Sequence, residues 1–442
     1  MPTFLEEFAT SVDNKKNGMR DKILKGTPNP LENDLRENFC SNWISLENIS
    51  ELKCNPSDVD VLAVDSSVYT NLLSTGGVFY IVRSIGIFRE KSQKLLETDV
   101  FYTKDALYKV KHLIGRKMEL LEFKVATDAI KAGFEFDTIL IDGSLYGRAV
   151  HLPIETKTKE EIPTLLEYFE VYKELLDLCH QKEILLVGVS KESRSTFFRD
   201  YLLKIIYDIA LKESGLKTDE VRKLVPIFSE VLDDERAAFR KFDKLKTQTS
   251  DNLDRFELIL NELSSSRPDY QIVMNNADTV GYTRPLLLGP SARVARFFER
   301  YISNPTGYVI EKFPRTVREK NKEFVDWASK VISNIPKLPS FISFHLLLHI
   351  RDSPLRIDLP NYQKMLHESG WPKPTEVDLK DLLKVMIAGY CGLDAYNLWL
   401  KNVDERVRLR RKVVDDIYFP YMEKLFGEKI IRGRGYRRVR YP

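Results

Sequence analysis

Two short runs of aliphatic residues, each closing on an aspartate, constrain this chain more than any other feature. VDVLAVD ends at Asp65, and DTILIDGSL carries Asp142. Runs that are apolar at nearly every position fit strands buried on both faces, as in parallel sheets. A third such run, KEILLVGVSKESRS, leads into Lys191. Between the first two lie a turn at Gly76-Gly77, a strand in VFYIVRSIGIFRE and a further strand near Thr98–Tyr102. Residues 104–132 carry helical periodicity, with Leu107, Val110, Ile114, Met118, Leu121, Val125 and Ile130 recurring every three to five positions. Residues 161–181 are helical as well. Hairpin-linked strands followed by alternating helices and strands predict an α/β fold with a sheet of mixed direction and flanking helices. In such sheets polar groups gather at the C-terminal ends of the parallel strands, where ligands bind.

The remaining chain divides by pattern. Residues 1–50 read as an N-terminal helical segment broken by TPNPLEND, and residues 51–198 as the first part of the sheet core. Residues 199–266 read as a helical insertion of mixed charge, with solvated helix faces in KESGLKTDEVRKL and DDERAAFRKFDKLKTQ. Residues 267–428 complete the core. QIVMN, PLLLG, GYVIEKF, FISFHLLLHI and LRIDLP are expected as strands and loops, and residues 378–426 as helices. Residues 429–442 form a basic tail with five arginines between Arg432 and Arg440, interleaved with glycine and tyrosine. Such a tail can pair with phosphates and stack Tyr436 or Tyr441 on bases, or stay solvated.

Composition sets the outer limits. With 43% hydrophobic and 30% charged residues over 442 positions, the chain is globular and needs no disulfides to build a core. Cys40, Cys54, Cys179 and Cys391 are too scattered for a zinc ribbon and read as reduced thiols. A net charge of +3 leaves nucleic-acid binding to local patches. The acidic N-terminus is no signal peptide and no stretch is long enough to span a bilayer, so a cytoplasmic protein without membrane contact is expected. No Walker loop, GxGxxG or GxSxG occurs, which leaves NTPase, dinucleotide and hydrolase-elbow readings without support.

Aspartates on neighbouring strand ends repel each other, and a hard divalent cation resolves that repulsion. Mg²⁺ or Mn²⁺ held by Asp65 and Asp142 would suit phosphodiester cleavage. Each aspartate alone reads better as a turn or cap residue; two on consecutive parallel strands, flanked by Ser or Gly, reverse the preference towards the metal. A third carboxylate comes from Glu119, Glu122 or Asp128 on the helix, with Glu122 in LLEFKVA and Glu119 one turn earlier. Lys191 could hold a phosphate, with Arg194 one turn on, or be solvated beside the capping serines Ser190 and Ser193. Asp358 in LRIDLP is either a further ligand or the ion-pair partner of Arg356. His345 and His349 lie on a strand at a spacing too wide for zinc.

With VLAVDSS, LLEFKVA, ILIDGSL, LLVGVSKESRS, TRPLLLGP, LRIDLP and GYCGLDAY in this order, the sequence resembles the NurA nucleases, roughly from Asp58 to Phe426. IDGSL followed by VSKESRS is the most specific pair. The resemblance implies a ribonuclease-H-like core, a homodimer, and Mn²⁺ or Mg²⁺ as cofactor. It also implies 5′–3′ exonuclease and single-strand endonuclease activity on DNA, in end resection with a HerA-type hexameric helicase. By motif, Asp65, Asp142 and Glu122 match the metal ligands, and Lys191 and Tyr390 match further catalytic residues. The late motif departs from the family's pattern: Cys391 replaces a proline, and Tyr396 stands where histidine is expected. A weakly catalytic subunit that clamps DNA or a helicase is the alternative, and an Argonaute-like RNA nuclease a third.

Overall fold

The computed structural model describes residues 4–24, 29–46, 49–103, 107–156, 158, 163–231, 234–249, 253–265, 267–320, 322–368 and 372–432. Its described strands are β1 (Trp43–Ser45), β2 (Val61–Leu72), β3 (Val78–Phe88), β4 (Lys91–Phe101), β5 (Thr138–Asp142), β6 (Leu185–Lys191), β7 (Gly281–Thr283), β8 (Leu286–Leu288), β9 (Pro339–Leu347), β10 (Leu355–Met365) and β11 (Lys373–Pro374). They form one mixed sheet in the order β1-β7-β9-β10-β6-β5-β2-β3-β4, with β8 beside β9 and β11 beside β8. Only β2, β5 and β6 pair in parallel; the other ladders are antiparallel. The α/β class expected from the sequence is therefore what the chain adopts.

The three buried runs become the three parallel strands because helices cover both faces there. On one face, Ala63, Leu140, Val187 and Ile357 pack against Leu382 and Met386 of the Lys380–Gly389 helix and Leu400, Val403 and Val407 of the Leu398–Val407 helix. On the other face lies the Leu107–Lys131 helix, whose Val110, Ile114 and Leu121 meet Val78, Tyr80 and Val82. Gly86 lets this helix approach closely, since a Cβ there would meet Val125 at 2.8 Å. The Thr164–Gln181 helix backs it, with Phe123 stacked on Tyr172 at 4.3 Å.

Several elements differ from expectation. Asp65 does not end its strand. Parallel pairing with β5 stops at Val64↔Ile141, but β2 continues against β3 to Leu72. The strand expected near Thr98–Tyr102 begins at Lys91; its polar alternation suits a sheet edge and hides it from a search for apolar runs. QIVMN and most of GYVIEKF, expected among strands and loops, lie in the helices Asp269–Asn276 and Pro305–Lys312. Pro305 occupies the first helical position and the Asn304 side chain accepts from Gly307 N at 2.9 Å, so local capping outweighs a short apolar run. Most of residues 292–334 is helical, and the sheet is completed only by residues 281–288, 339–365 and 373–374.

Two compact units are present: Met1–Ser41 with Asp200–Ser266, and Asn42–Arg199 with Arg267–Pro442. The first is helical, with an aromatic centre in which Tyr207 lies 4.4 Å from Phe228 and 5.8 Å from Phe256. Among the described residues no helix is long and apolar enough to cross a membrane. Most of the basic tail, including Tyr436 and Tyr441, lies outside the described residues. Arg432 is committed to the fold: it pairs with Asp415 and stacks 3.9 Å over the Phe419 ring.

Candidate active site at the ends of the parallel strands

Asp65 sits where β5 stops beside β2. Its Oδ1 accepts from Ser66 N at 2.7 Å, and its carbonyl accepts from Ser84 Oγ at 3.0 Å. Alternation along β2 turns Asp65 to the face of Ala63 and the Leu398–Val407 helix, and Ser66 to the face of the Leu107–Lys131 helix. Burial pushes the Asp65 carboxyl up to about 8, reinforced by the charges of Glu122, then Asp142, and also of Asp404.

Asp142 closes β5. Gly143 follows at φ 116°, a backbone that disfavours side chains, and donates to Val189 O at 2.8 Å. Ser144 then caps the Leu145–Ala149 helix by accepting from Gly147 N at 2.8 Å. The sharp turn leaves the Asp142 side chain at the strand end. Two donors meet on its Oδ2: Lys191 Nζ at 2.9 Å and the Tyr396 hydroxyl at 3.2 Å. The Lys191 ammonium also lies 4.4 Å from the centre of the Tyr396 ring.

Behind Ser66 is a buried ionic layer. Glu122 is 3% exposed and Arg148 is 5% exposed. Their closest atoms, Glu122 Oε2 and Arg148 Nη2, lie 2.5 Å apart, in an orientation that falls short of a hydrogen bond. Ser66 Oγ donates to Glu122 Oε1, and Arg148 Nη2 donates to the carbonyl of Asp142 at 3.0 Å. Burial raises the Glu122 carboxyl, against the pull of Arg148 and Ser66. One turn earlier, Glu119 takes Arg116 at 2.8 Å, the Tyr168 hydroxyl at 2.8 Å and His151 at 3.3 Å. Against the push of burial, His151, Arg148 and Arg116 hold Glu119 far below the usual carboxylate range. Of the two glutamates weighed from sequence, Glu122 is therefore the one tied to the residue beside Asp65.

A NurA-domain family model matches residues 59–409, from the strand that carries Asp65 to just beyond the helix that carries Asp404. The chain belongs to the NurA family. Among solved structures, the NurA nuclease from Sulfolobus solfataricus aligns at 11% identity and TM-score 0.49, over 97% of this chain and 98% of that one. A NurA bound to dAMP and manganese aligns at 13% and 0.41, over 96% and 98%. A Ciona intestinalis endonuclease V in complex with DNA aligns at 11% and 0.26, over 88% and 97%. No curated protein matches the sequence.

Within the NurA frame, the late motif behaves unevenly. Tyr396, the residue in place of the expected histidine, reaches Asp142. Tyr390 does not join the carboxylates: its hydroxyl donates to Asp352 Oδ2 at 3.0 Å, in the turn between β9 and β10. That turn lies at the same end of the sheet, because Leu355 pairs with Lys191. Asp358 is 0% exposed and fully engaged, by Arg356 at 3.0 Å, Ser144 Oγ at 2.6 Å and Tyr146 N at 3.2 Å, so the ion-pair reading holds for it. His345 is buried, and burial with the nearby Arg356 pushes it down to about 3. The roles of Arg148, Ser66 and Asp404 were not anticipated: Ser66 stands in VLAVDSS only as a small residue after Asp65, and the turn after β5 and the packing of two helices bring the other two in.

Asp65 and Asp142 offer hard oxygen donors and carry charges that oppose each other, which fits a divalent cation. Among the described residues no three His, Cys, Asp or Glu side chains already converge on one point, since Glu122 faces Arg148.

Proposed function

We propose that this chain is a metal-dependent DNA nuclease that uses Mn²⁺ or Mg²⁺. The observation that carries the reading is Asp65 and Asp142 side by side where the parallel pairing of β2 and β5 stops, with Lys191 on Asp142, in a chain of the NurA family. Asp65 and Asp142 hold the cation, with Glu122 as the third carboxylate of the set. Bound there, the ion supplies an activated water and stabilises charge on the phosphate. Lys191 is half exposed and can turn from Asp142 to a phosphate oxygen. Tyr396 keeps Asp142 Oδ2 turned inward, and Tyr390 contributes from the rim beside Asp352.

The substrates are single-stranded DNA and DNA ends, cut in 5′–3′ exonuclease and single-strand endonuclease modes. No NTP-binding motif occurs, so unwinding of long duplexes falls to an external motor, a HerA-type hexameric helicase, in end resection. The working form is a homodimer, and light scattering at micromolar concentration is expected to give about twice the 51.4 kDa of one chain. Monomer mass across that range, with no binding to a HerA-type helicase, would remove the assembly. The deciding assay offers purified protein with Mn²⁺ single- and double-stranded DNA and RNA. Cleavage of DNA that EDTA stops is the expected result; no cleavage of any substrate would overturn the reading. The Tyr396 substitution favours one other reading, a weakly catalytic clamping subunit, for which DNA binding without turnover is the signature.

Cation binding is expected to depend steeply on pH. Asp65, at about 8, still holds a proton near neutrality in the absence of a cation. Mn²⁺ must displace that proton, so affinity rises with pH until about 8, by about tenfold per unit at most. The sign for stability is opposite. A carboxyl raised above its unfolded value stabilises the fold fully below about 4 and loses that contribution as pH rises through 8. Calorimetric titrations with Mn²⁺ at pH 6, 7 and 8 check this; equal affinities at pH 6 and 8 would be the contrary result.

A further inference from the structure

We infer that Arg148 is a positioning residue for the carboxylate centre: one buried guanidinium ties Glu122, on the Leu107–Lys131 helix, to the backbone of Asp142 at the end of β5. The inference rests on the nuclease reading and adds to it a residue that touches neither DNA nor cation. Its geometry is direct. Arg148 Nη2 lies 2.5 Å from Glu122 Oε2 and donates at 3.0 Å to Asp142 O. The same guanidinium sits 5.3 Å from the centre of the Phe123 ring, and the backbone carbonyl of Arg148 accepts from the Tyr168 hydroxyl at 3.2 Å, so side chain and backbone are each held. A Cβ on Gly143 would come within 3.1 Å of Arg148 Nη2, a tight contact that adds to the demand of its positive φ.

The charge is not there for stability alone. Among the described residues Arg148 Nη1 is buried with no hydrogen-bond partner, although a shorter apolar side chain would avoid that cost. What the arginine provides is one nitrogen, Nη2, placed between two elements that must be held in register for Asp142 and Glu122 to act together. Glu122 is secured from its other side by Ser66 Oγ, on the residue next to Asp65. Arg148, Glu122, Ser66 and the Asp142 carbonyl thus form a continuous brace behind the two aspartates. Groups that orient metal ligands from behind set metal affinity and turnover more than substrate affinity.

The test is Mn²⁺ titration by calorimetry on the full chain, with DNA cleavage measured alongside, for wild type, Arg148→Lys and Ser66→Ala. A lysine keeps the charge, but its side chain is one bond shorter, so its ammonium stops short of the Nη2 position between Glu122 and the Asp142 carbonyl. Arg148→Lys is expected to weaken Mn²⁺ binding about tenfold and to lower kcat, with KM for single-stranded DNA unchanged. Ser66→Ala, a small change that keeps the ion pair, is expected to weaken Mn²⁺ binding about threefold. A purely structural Arg148 would lower the melting temperature and leave the Mn²⁺ affinity of the folded protein untouched, which overturns the inference. Tighter Mn²⁺ binding in Arg148→Lys overturns it too, because Arg148 would then compete with the cation for Glu122. If Arg148→Lys does not fold, Ser66→Ala decides: unchanged affinity refutes the brace. A wild-type chain that binds no Mn²⁺ refutes the nuclease reading itself, whereas wild type and variants binding alike refute only the role of Arg148.

Discussion

Asp65→Asn and Asp142→Asn are each expected to lower Mn²⁺-dependent DNA cleavage by on the order of a thousandfold or more while leaving the fold intact. The argument for activity is charge. An amide keeps the shape of the carboxyl but removes the anion, and with it one of the carboxylate charges that hold the cation. The argument for the fold differs between the two. At Asp65, burial and the charges of Glu122 and Asp142 already oppose ionisation, so a neutral side chain relieves repulsion. Asp65→Asn is expected to melt no lower than wild type in EDTA. At Asp142 the losses are the contacts from Lys191 and Tyr396, at a rim where Lys191 is half exposed and such pairs contribute little. Single-turnover cleavage in Mn²⁺, with melting curves in EDTA, separates the two effects. Either variant cutting at the wild-type rate would sink the assignment of that aspartate.

The sequence showed these two aspartates because of what surrounds them. A strand buried on both faces must be apolar almost throughout, so a charge in or beside it stands out, and the small residues after Asp142 mark the turn that presents it. Lys191 was legible for the same reason. The place of Asp65 within its strand was not, because β2 is lined on its far half by Ser67, Tyr69 and Asn71, which pair with β3 rather than with a buried parallel neighbour. The polar β4 and the two helices expected among strands and loops mark the same limit: a short segment reads through its burial pattern, and edge position or capping can override that pattern. Arg148 was invisible for a further reason. Its partners, Glu122 and the Asp142 carbonyl, come from a helix and a strand end with the 19 residues 123–141 between them, and only packing of that helix against β2 joins them. A glutamate on a helix is ordinary in sequence; a glutamate 3% exposed and facing a guanidinium is not.

Glu122→Ala is expected to destabilise the protein by about 3–5 kcal/mol, the largest stability effect among the site residues. The magnitude comes from what is left behind. Arg148 is 5% exposed and, among the described residues, already has one nitrogen without a hydrogen-bond partner and would lose its only carboxylate at ion-pair distance. Ser66 Oγ would lose its acceptor in the same layer. Glu122→Gln keeps one oxygen, enough for Ser66 but not also for Arg148, and leaves no void, so it is expected to cost less than Glu122→Ala. The two can be told apart from simple cavity formation by a second substitution. Replacing Arg148 by methionine removes the stranded charge, so Glu122→Ala with Arg148→Met should recover a large part of the loss, although a cavity alone would make the two costs add. Urea denaturation in EDTA, followed by far-UV circular dichroism, gives the comparison. If Glu122→Ala lies within about 1 kcal/mol of wild type, or the double variant is less stable than the sum of the single ones, the buried pair does not hold the layer behind Asp65 and Asp142 together.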